Sequence, residues 1–298
     1  MKRNCKLCNQ KGNLENSHII PSFIYKWLKE SSGTGYLRFG QTPNKRVQDG
    51  LKEYWLCPTC EDLFQKWETE FAKHIFHPIV KNNKNQFNYG PWLLKFSVSL
   101  SWRVLLFIKE KTNLSNFPQK LKNEANLALK TWKKFLLDKE PNPKKYQQHM
   151  LPLNAIRSHS FDNLPSNMNR YLLRSVNIDV ANNTKEAFVY IKLPRILLTG
   201  FIHIEKPRQW KNTIVHVKKG TLGADRYVLP KYMADYLKKQ ADKSKSLNKK
   251  ISEKQRSKIN ETYKKNIDKF ATSDTFAALQ HDVELFGESK VFDLTKSS

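Results

Sequence analysis

The chain has 298 residues, 39% hydrophobic and 12% aromatic, a composition that supplies ordinary apolar cores for about two domains and excludes a largely disordered protein. Its 53 Lys and Arg against 27 Asp and Glu leave a net charge of +26, far beyond what solubility needs, and point to a polyanionic partner, nucleic acid first. An anionic membrane is excluded as the first choice because no compact basic and aromatic anchor stands at either end.

In chain order, the first chemistry is a pair of Cys-x-x-Cys knuckles, Cys5 with Cys8 and Cys57 with Cys60, which contain all four cysteines of the protein. Thiolates two residues apart converge on one cation, so two such pairs supply the four sulfur ligands of a closed, structural zinc site. The alternatives are four unrelated core thiols or a pair of disulfides. Disulfides need an oxidising compartment, and the charged start Met1-Lys2-Arg3-Asn4-Cys5 has no apolar core of the kind a signal peptide carries. A reduced, cytoplasmic protein is the expectation.

Residues 3–20 read as a knuckle and hairpin, with turn-forming residues 9–13 followed by a strand over 14–20 that carries Asn16, Ser17 and His18. Pro21 suits the first turn of a helix on which Phe23, Ile24, Trp27 and Leu28 recur at helical spacing. A polar stretch over 36–52 precedes a short strand at Tyr54-Trp55-Leu56, which enters the second knuckle. From Cys60 the pattern turns helical, with Leu63, Phe64, Trp67, Phe71 and Ile75 on one stripe. Glu61, Gln65 and Glu68 share the other side, so both carboxylates project from a single face.

This arrangement of knuckle, hairpin ending in His18-Ile19-Ile20-Pro21, Leu56 to Cys60, and a helix opening on a polar ligand resembles the zinc-knuckle branch of the HNH nucleases. The resemblance covers roughly residues 3–75 and implies a ββα-metal, treble-clef module. Three letters depart from the family pattern. Ser17 stands where an acidic residue commonly precedes the histidine, no asparagine stands just ahead of the second knuckle, and Glu61 replaces the usual histidine or asparagine after the last cysteine. The resemblance implies His18 as catalytic base and Glu61 as a catalytic metal ligand, with Glu68 and Asn16 as further oxygen donors to magnesium or manganese. The chemistry is coherent, because phosphodiester hydrolysis needs a base to take a proton from water and a cation to stabilise developing charge. Imidazole suits the first task at neutral pH, and carboxylate oxygen suits a hard cation.

Beyond a polar stretch at 82–90, which suggests a boundary near residue 85, residues 92–108 are apolar around most of a helix circumference and predict the central helix of a second core. Lys95 and Arg103 interrupt this stretch, which falls short of a membrane span. Arg103 is read as either paired with a buried acid or in contact with a phosphate. A further helix is predicted over 121–137 and ended by Pro141-Asn142-Pro143, with Leu121, Ala125, Leu127, Leu129, Trp132, Phe135 and Leu136 seeking the core. Period-two patterns from Tyr171, through 188–191 and 196–204, to 214–217 predict a small antiparallel sheet of about four strands. Residues 238–265 form a basic helix or helical hairpin whose Lys249, Lys250, Lys254, Arg256 and Lys258 are candidate phosphate contacts. Leu247, Ile251, Ile259, Tyr263 and Ile267 give this segment a narrow apolar stripe.

The expected architecture is therefore α+β: a zinc-stapled treble-clef module over 1–85, then a mostly helical domain over 86–298 holding a small antiparallel sheet at about 170–218 and basic C-terminal helices. The expected function is a metal-dependent HNH-type endonuclease acting on nucleic acid, DNA before RNA, with a defence or mobile-element system as its setting. The alternatives are a zinc-finger nucleic-acid-binding protein without hydrolytic activity, or a subunit of a larger assembly. A protein partner or homo-oligomer is left open.

Overall fold

The computed structural model describes residues 3–159, 163–223 and 226–293, and within them the chain is α+β, rich in helix with small antiparallel sheets. Strands β1 (Arg3–Asn4) and β2 (Lys11–Gly12) pair with each other, and β3 (Glu15–His18) leads to helix α1 (Ser22–Glu30). Strand β4 (Lys52–Leu56) pairs antiparallel with β3 and runs into α2 (Pro58–Phe71). A π turn over Ala72–Phe76 joins α2 to α3 (His77–Asn82). Pro78 accounts for that turn, because it lacks an N–H and its ring crowds the carbonyl four residues back. Next come β5 (Phe87–Tyr89), α4 (Trp92–Thr112), α5 (Gln119–Leu136), β6 (Gln148–Pro152) and α6 (Met168–Arg174). Strands β7 (Asn177–Asn182), β8 (Glu186–Leu193), β9 (Ile196–Ile204) and β10 (Gly220–Leu222) follow. The helices α7 (Lys231–Lys249), α8 (Glu253–Lys265), α9 (Ile267–Ala271), α10 (Asp274–Phe286) and α11 (Glu288–Val291) complete the order.

These elements fall into two compact units that interleave along the chain. The first gathers Met1–Pro21, Leu51–Pro152 and Val176–Leu229; the second gathers Ser22–Gly50, Leu153–Ser175 and Pro230–Ser298. Residue 85, where the polar stretch suggested a boundary, falls inside the first unit.

In the first unit α4 is the central rod, as its all-round apolar pattern predicts, buried from Leu93 to Leu105. Phe71 of α2 stacks on Phe96 of α4 at 3.9 Å, and Trp102 meets Phe64 and Trp55 edge-on. On the opposite side α4 meets a four-stranded antiparallel sheet of order β6-β9-β8-β7. Ser101 donates a 2.6 Å hydrogen bond to Gln148 on β6, and a Cβ on Gly200 of β9 would lie 2.3 Å from the Ser101 Oγ. Successive strand residues face opposite ways, so His149 looks away from α4. Its Nδ1 is 2.8 Å from the Thr213 hydroxyl, and its ring meets Phe201 and Trp210.

Two strand expectations change. Residues 214–217 make only an isolated bridge to His149, and the fourth strand is β6, which ends in a proline and lies just past Pro141 and Pro143. Of the period-two segment that starts at Tyr171, residues 171–174 lie in helix α6, whereas Ile178 and Val180 lie on strand β7. In the second unit the Asp282 carboxylate accepts from the backbone N–H groups of Asn169 and Arg170 at the start of α6, satisfying donors that a helix start leaves open. Leu127 also departs from expectation, being 49% exposed on α5. The basic segment divides into α7 and α8 between Lys249 and Glu253. No helix among the described residues is long and apolar enough to cross a membrane.

Burial, with the neighbouring His216 as a lesser cause, pulls His149 down from 6.5 to about 4. A group with a depressed folded pKa binds its proton more readily when unfolded, so this contribution is full above pH 6.5 and is lost as pH falls toward 4. We expect about 3 kcal/mol of stability to disappear over that window. Urea unfolding against pH checks this, with a His149→Gln variant showing a flatter profile between pH 7 and 4.

Candidate metal centre and adjoining site

The first knuckle is a tight turn: Cys5 N–H donates to the Gln10 carbonyl at 2.9 Å, and Asn9 N–H donates to the Cys5 carbonyl at 2.9 Å. Asn9 sits at φ 68°, a left-handed conformation that asparagine tolerates better than most residues. Lys6 N–H donates to the Trp55 carbonyl at 2.8 Å and so ties this turn to β4. The second knuckle opens α2, with Pro58 in its first turn, where a missing N–H costs nothing.

All four sulfurs lie within 4.8 Å of one another, and Cys8 Sγ is 3.7 Å from Cys57 Sγ. A tetrahedron with Zn–S bonds of about 2.3 Å has edges of about 3.8 Å, whereas a disulfide needs about 2.05 Å. The cysteines are free. Burial works against ionisation of Cys5, but backbone N–H groups of Cys8, Cys57 and Leu7 outweigh it and bring the thiol to about 7. Burial, followed by the charge of Cys5, pushes Cys60 up. Four thiolates this close stay ionised together only with a cation among them, so the donor set fits a metal ion such as zinc. Among the described residues no other group of three or more His, Cys, Asp or Glu side chains is close enough to hold an ion.

Lys133 of α5 caps this cluster, a role with no local signal in the sequence. Its ammonium donates to the Lys6 carbonyl and to Asn9 Oδ1, each at 2.9 Å. Burial lowers its pKa, while the charges of Cys5 and Cys8 oppose the loss of its proton. A cation at this point offsets part of the double negative charge of a four-thiolate zinc site.

Beside the cluster, β3 and the start of α2 form a polar corner. Ser17, 2% exposed, donates a 2.6 Å hydrogen bond from its hydroxyl to the Glu61 carboxylate. The register pairs Asn16 with Tyr54, Ser17 with Glu53 and His18 with Lys52. Strand alternation therefore puts Ser17 on the α2 side and Asn16 on the other, while His18 ends the strand half-buried. Asn16 is exposed and Tyr54 is 55% exposed, so the ribbon presents an open polar face.

Glu68, two turns further along α2, forms a 2.7 Å ion pair with Arg103 of α4. The same guanidinium donates to the His18 carbonyl at 2.9 Å and lies over the Phe64 ring at 5.1 Å. Of the two readings open for Arg103, pairing with a buried acid is the one observed. Burial raises the Glu68 pKa and Arg103 opposes it; Glu61 raises it further and His18 lowers it, which places His18 and Glu61 within electrostatic reach of the same carboxylate. The structure thus gathers His18, Ser17, Glu61, Glu68 and Arg103 around the end of β3. Sequence reasoning marked Ser17 only as a departure from a pattern, and the partner of Arg103 is a long-range contact with no local signal.

The basic residues of the second unit divide by role. Lys249 pairs with Asp293 at 3.0 Å. The Arg256 guanidinium donates to the Asn248, Lys249 and Ile251 carbonyls at 3.2 to 3.3 Å, closing the end of α7. Lys250, Lys254 and Lys258 are exposed and make no ion pair among the described residues.

We expect the purified chain to contain one zinc per molecule by atomic absorption and Cys60→Ser to lose it together with its cooperative melt, since structural zinc is worth on the order of 10 kcal/mol. Lys133→Ala should keep the zinc but release it severalfold faster to a chelator, read with a colorimetric zinc dye. No protein-family model matches the chain, and no curated protein or solved structure matches it.

Proposed function

We propose that the chain is a metal-dependent endonuclease of HNH type, cutting phosphodiester bonds in nucleic acid, DNA before RNA, with a zinc-stapled treble-clef module at its core. The observation that carries this reading is the Ser17–Glu61 hydrogen bond of 2.6 Å. It joins the two positions where the HNH pattern puts metal-binding side chains, next to the histidine that pattern uses as base.

The roles follow from the chemistry of each group. His18 takes the proton of the attacking water at an imidazole nitrogen. Glu61 and the Ser17 hydroxyl offer oxygen donors, and a hard divalent cation such as magnesium is held by one or two carboxylates completed by water and phosphate. Such a cation supplies charge stabilisation to the pentavalent transition state and the leaving oxygen. Glu68, first read as a cation ligand, is instead assigned to Arg103, and through it to the backbone at His18. Asn16 faces away from Glu61 on the ribbon and is assigned no ligand role. The four-cysteine site, closed by sulfur, carries no chemistry and holds the strand end against the helix start.

The direct test is nicking of supercoiled plasmid with magnesium or manganese. We expect cleavage by the zinc-loaded chain, silence in EDTA, and losses of about 10²- to 10⁴-fold in His18→Ala and Glu61→Gln with zinc content unchanged. Arg103→Lys, which keeps the charge but loses the guanidinium fork, should lower kcat about tenfold or more at unchanged KM. Intact plasmid with zinc-loaded protein that still binds DNA would favour the non-catalytic binding module.

A further inference from the structure

The second unit contains a cationic feature that composition alone does not reveal, built on the hairpin over 36–47. An isolated bridge between Leu37 and Val47 closes this hairpin. The Tyr36 ring carries two guanidiniums, Arg46 at 4.1 Å and Arg38 at 5.2 Å from its centroid. Neither arginine has a carboxylate partner among the described residues. Each cation is favoured over the ring face, and two guanidiniums held this near one ring, without a carboxylate partner, make a local concentration of positive charge that attracts an anion.

The two arginines are held differently. The Arg38 guanidinium donates to the Pro43 carbonyl at 2.7 Å and to Gln255 Oε1 of α8 at 3.1 Å, so it is a fixed point. Arg46 is exposed, and its only described contact is the ring. Its guanidinium fork is free to take a phosphate in bidentate fashion. Tyr36 Oη and Arg38 Nε are buried with no hydrogen-bond partner among the described residues.

The hairpin is clamped to the turn between α7 and α8. Asn44 accepts from Ser252 N–H at 2.8 Å and donates to the Lys250 carbonyl at 3.3 Å. Gly40 lies against Leu247, where a Cβ would come within 2.8 Å of its Cδ1. These contacts set Arg46 and Arg38 beside the α7–α8 turn and the first turn of α8, where Lys250 and Lys254 stand without acidic partners. Lys258 continues the row one helical turn on. Guanidinium forks followed by lysines in a line match a chain of phosphates better than a single headgroup.

We infer that the hairpin over 36–47 and the start of α8 form one surface that binds the sugar-phosphate backbone of nucleic acid, with Arg46 and Lys254 as its principal contacts. This surface lies in a different unit from the proposed cleavage site and stands whether or not the chain cuts.

The test is binding of the full chain to a fluorescent DNA duplex in EDTA, where cleavage plays no part, by anisotropy across a salt series. Arg46→Ala and Lys254→Ala should each weaken binding severalfold and reduce the slope of log Kd against log salt by about one, and their combination by about two. Arg46→Lys should restore the slope. Lys130→Ala, which removes an exposed charge in the first unit, should change neither value by more than the error. Lys254 makes no contact with the hairpin among the described residues and Arg46 touches it only at the Tyr36 ring, so both variants should melt cooperatively, with at most a small downward shift in Arg46→Ala. Wild-type affinity and slope in the double variant would overturn the inference, as would an equal loss in Lys130→Ala. So would a loss of binding to phosphatidylserine vesicles with DNA binding untouched.

Discussion

Four sulfur atoms within 4.8 Å of one another are the constraint on which the amino-terminal part of the molecule depends. The segments they join are too short to hold themselves: β1 and β2 have two residues each, and β3 has four. A two-stranded ribbon of this size is marginal in water. A cation shared by Cys5, Cys8, Cys57 and Cys60 would close a loop of some fifty residues and fix β3 against the first turn of α2. The register that follows carries Ser17 to Glu61 and leaves His18 at the open end of the strand. Zinc bound by four thiolates exchanges no water, so its contribution is geometry alone.

The second constraint is a charge in an apolar helix. Arg103 is 2% exposed between Phe64 and the backbone of its own helix, where an unpaired guanidinium would be expensive. Glu68 and the His18 carbonyl complete its surroundings. Replacing such a pair by apolar groups often costs nothing in stability, and it is retained where it specifies an arrangement. Here it links three elements, α2, α4 and the end of β3, and through them the backbone of the proposed base to the main core of the unit.

Local patterns carried much of this arrangement. The knuckle spacing predicted the sulfur cluster, the apolar run predicted α4, and the i, i+4, i+7 pattern put Glu61 and Glu68 on one face. Long-range effects decided the rest. Tyr171 and Leu172 read as strand because their alternation is locally indistinguishable, whereas the Asp282 carboxylate at the start of α6 selects the helix. Strand β6 has no clear local signal beside prolines 141, 143 and 152; hydrogen bonds to β9 on one side and to residues 213–215 on the other define it. Lys249 and Arg256 find partners in Asp293 and in the carbonyls at the end of α7, contacts that no local pattern signals. A charge run looks uniform in sequence, and only the fold shows which cations close helix ends and which remain open to a partner.

In the proposed function the sulfur cluster sets the end of β3 and the start of α2 around a divalent cation, an arrangement that paramagnetic broadening by manganese reads in the NMR spectrum of the zinc-loaded chain without nucleic acid. The resonances of Ser17, His18 and Glu61 should broaden first, at substoichiometric manganese, and the effect should vanish in Glu61→Gln with the remaining spectrum unchanged. Broadening confined to other acidic residues, or the same broadening in Glu61→Gln, would contradict it.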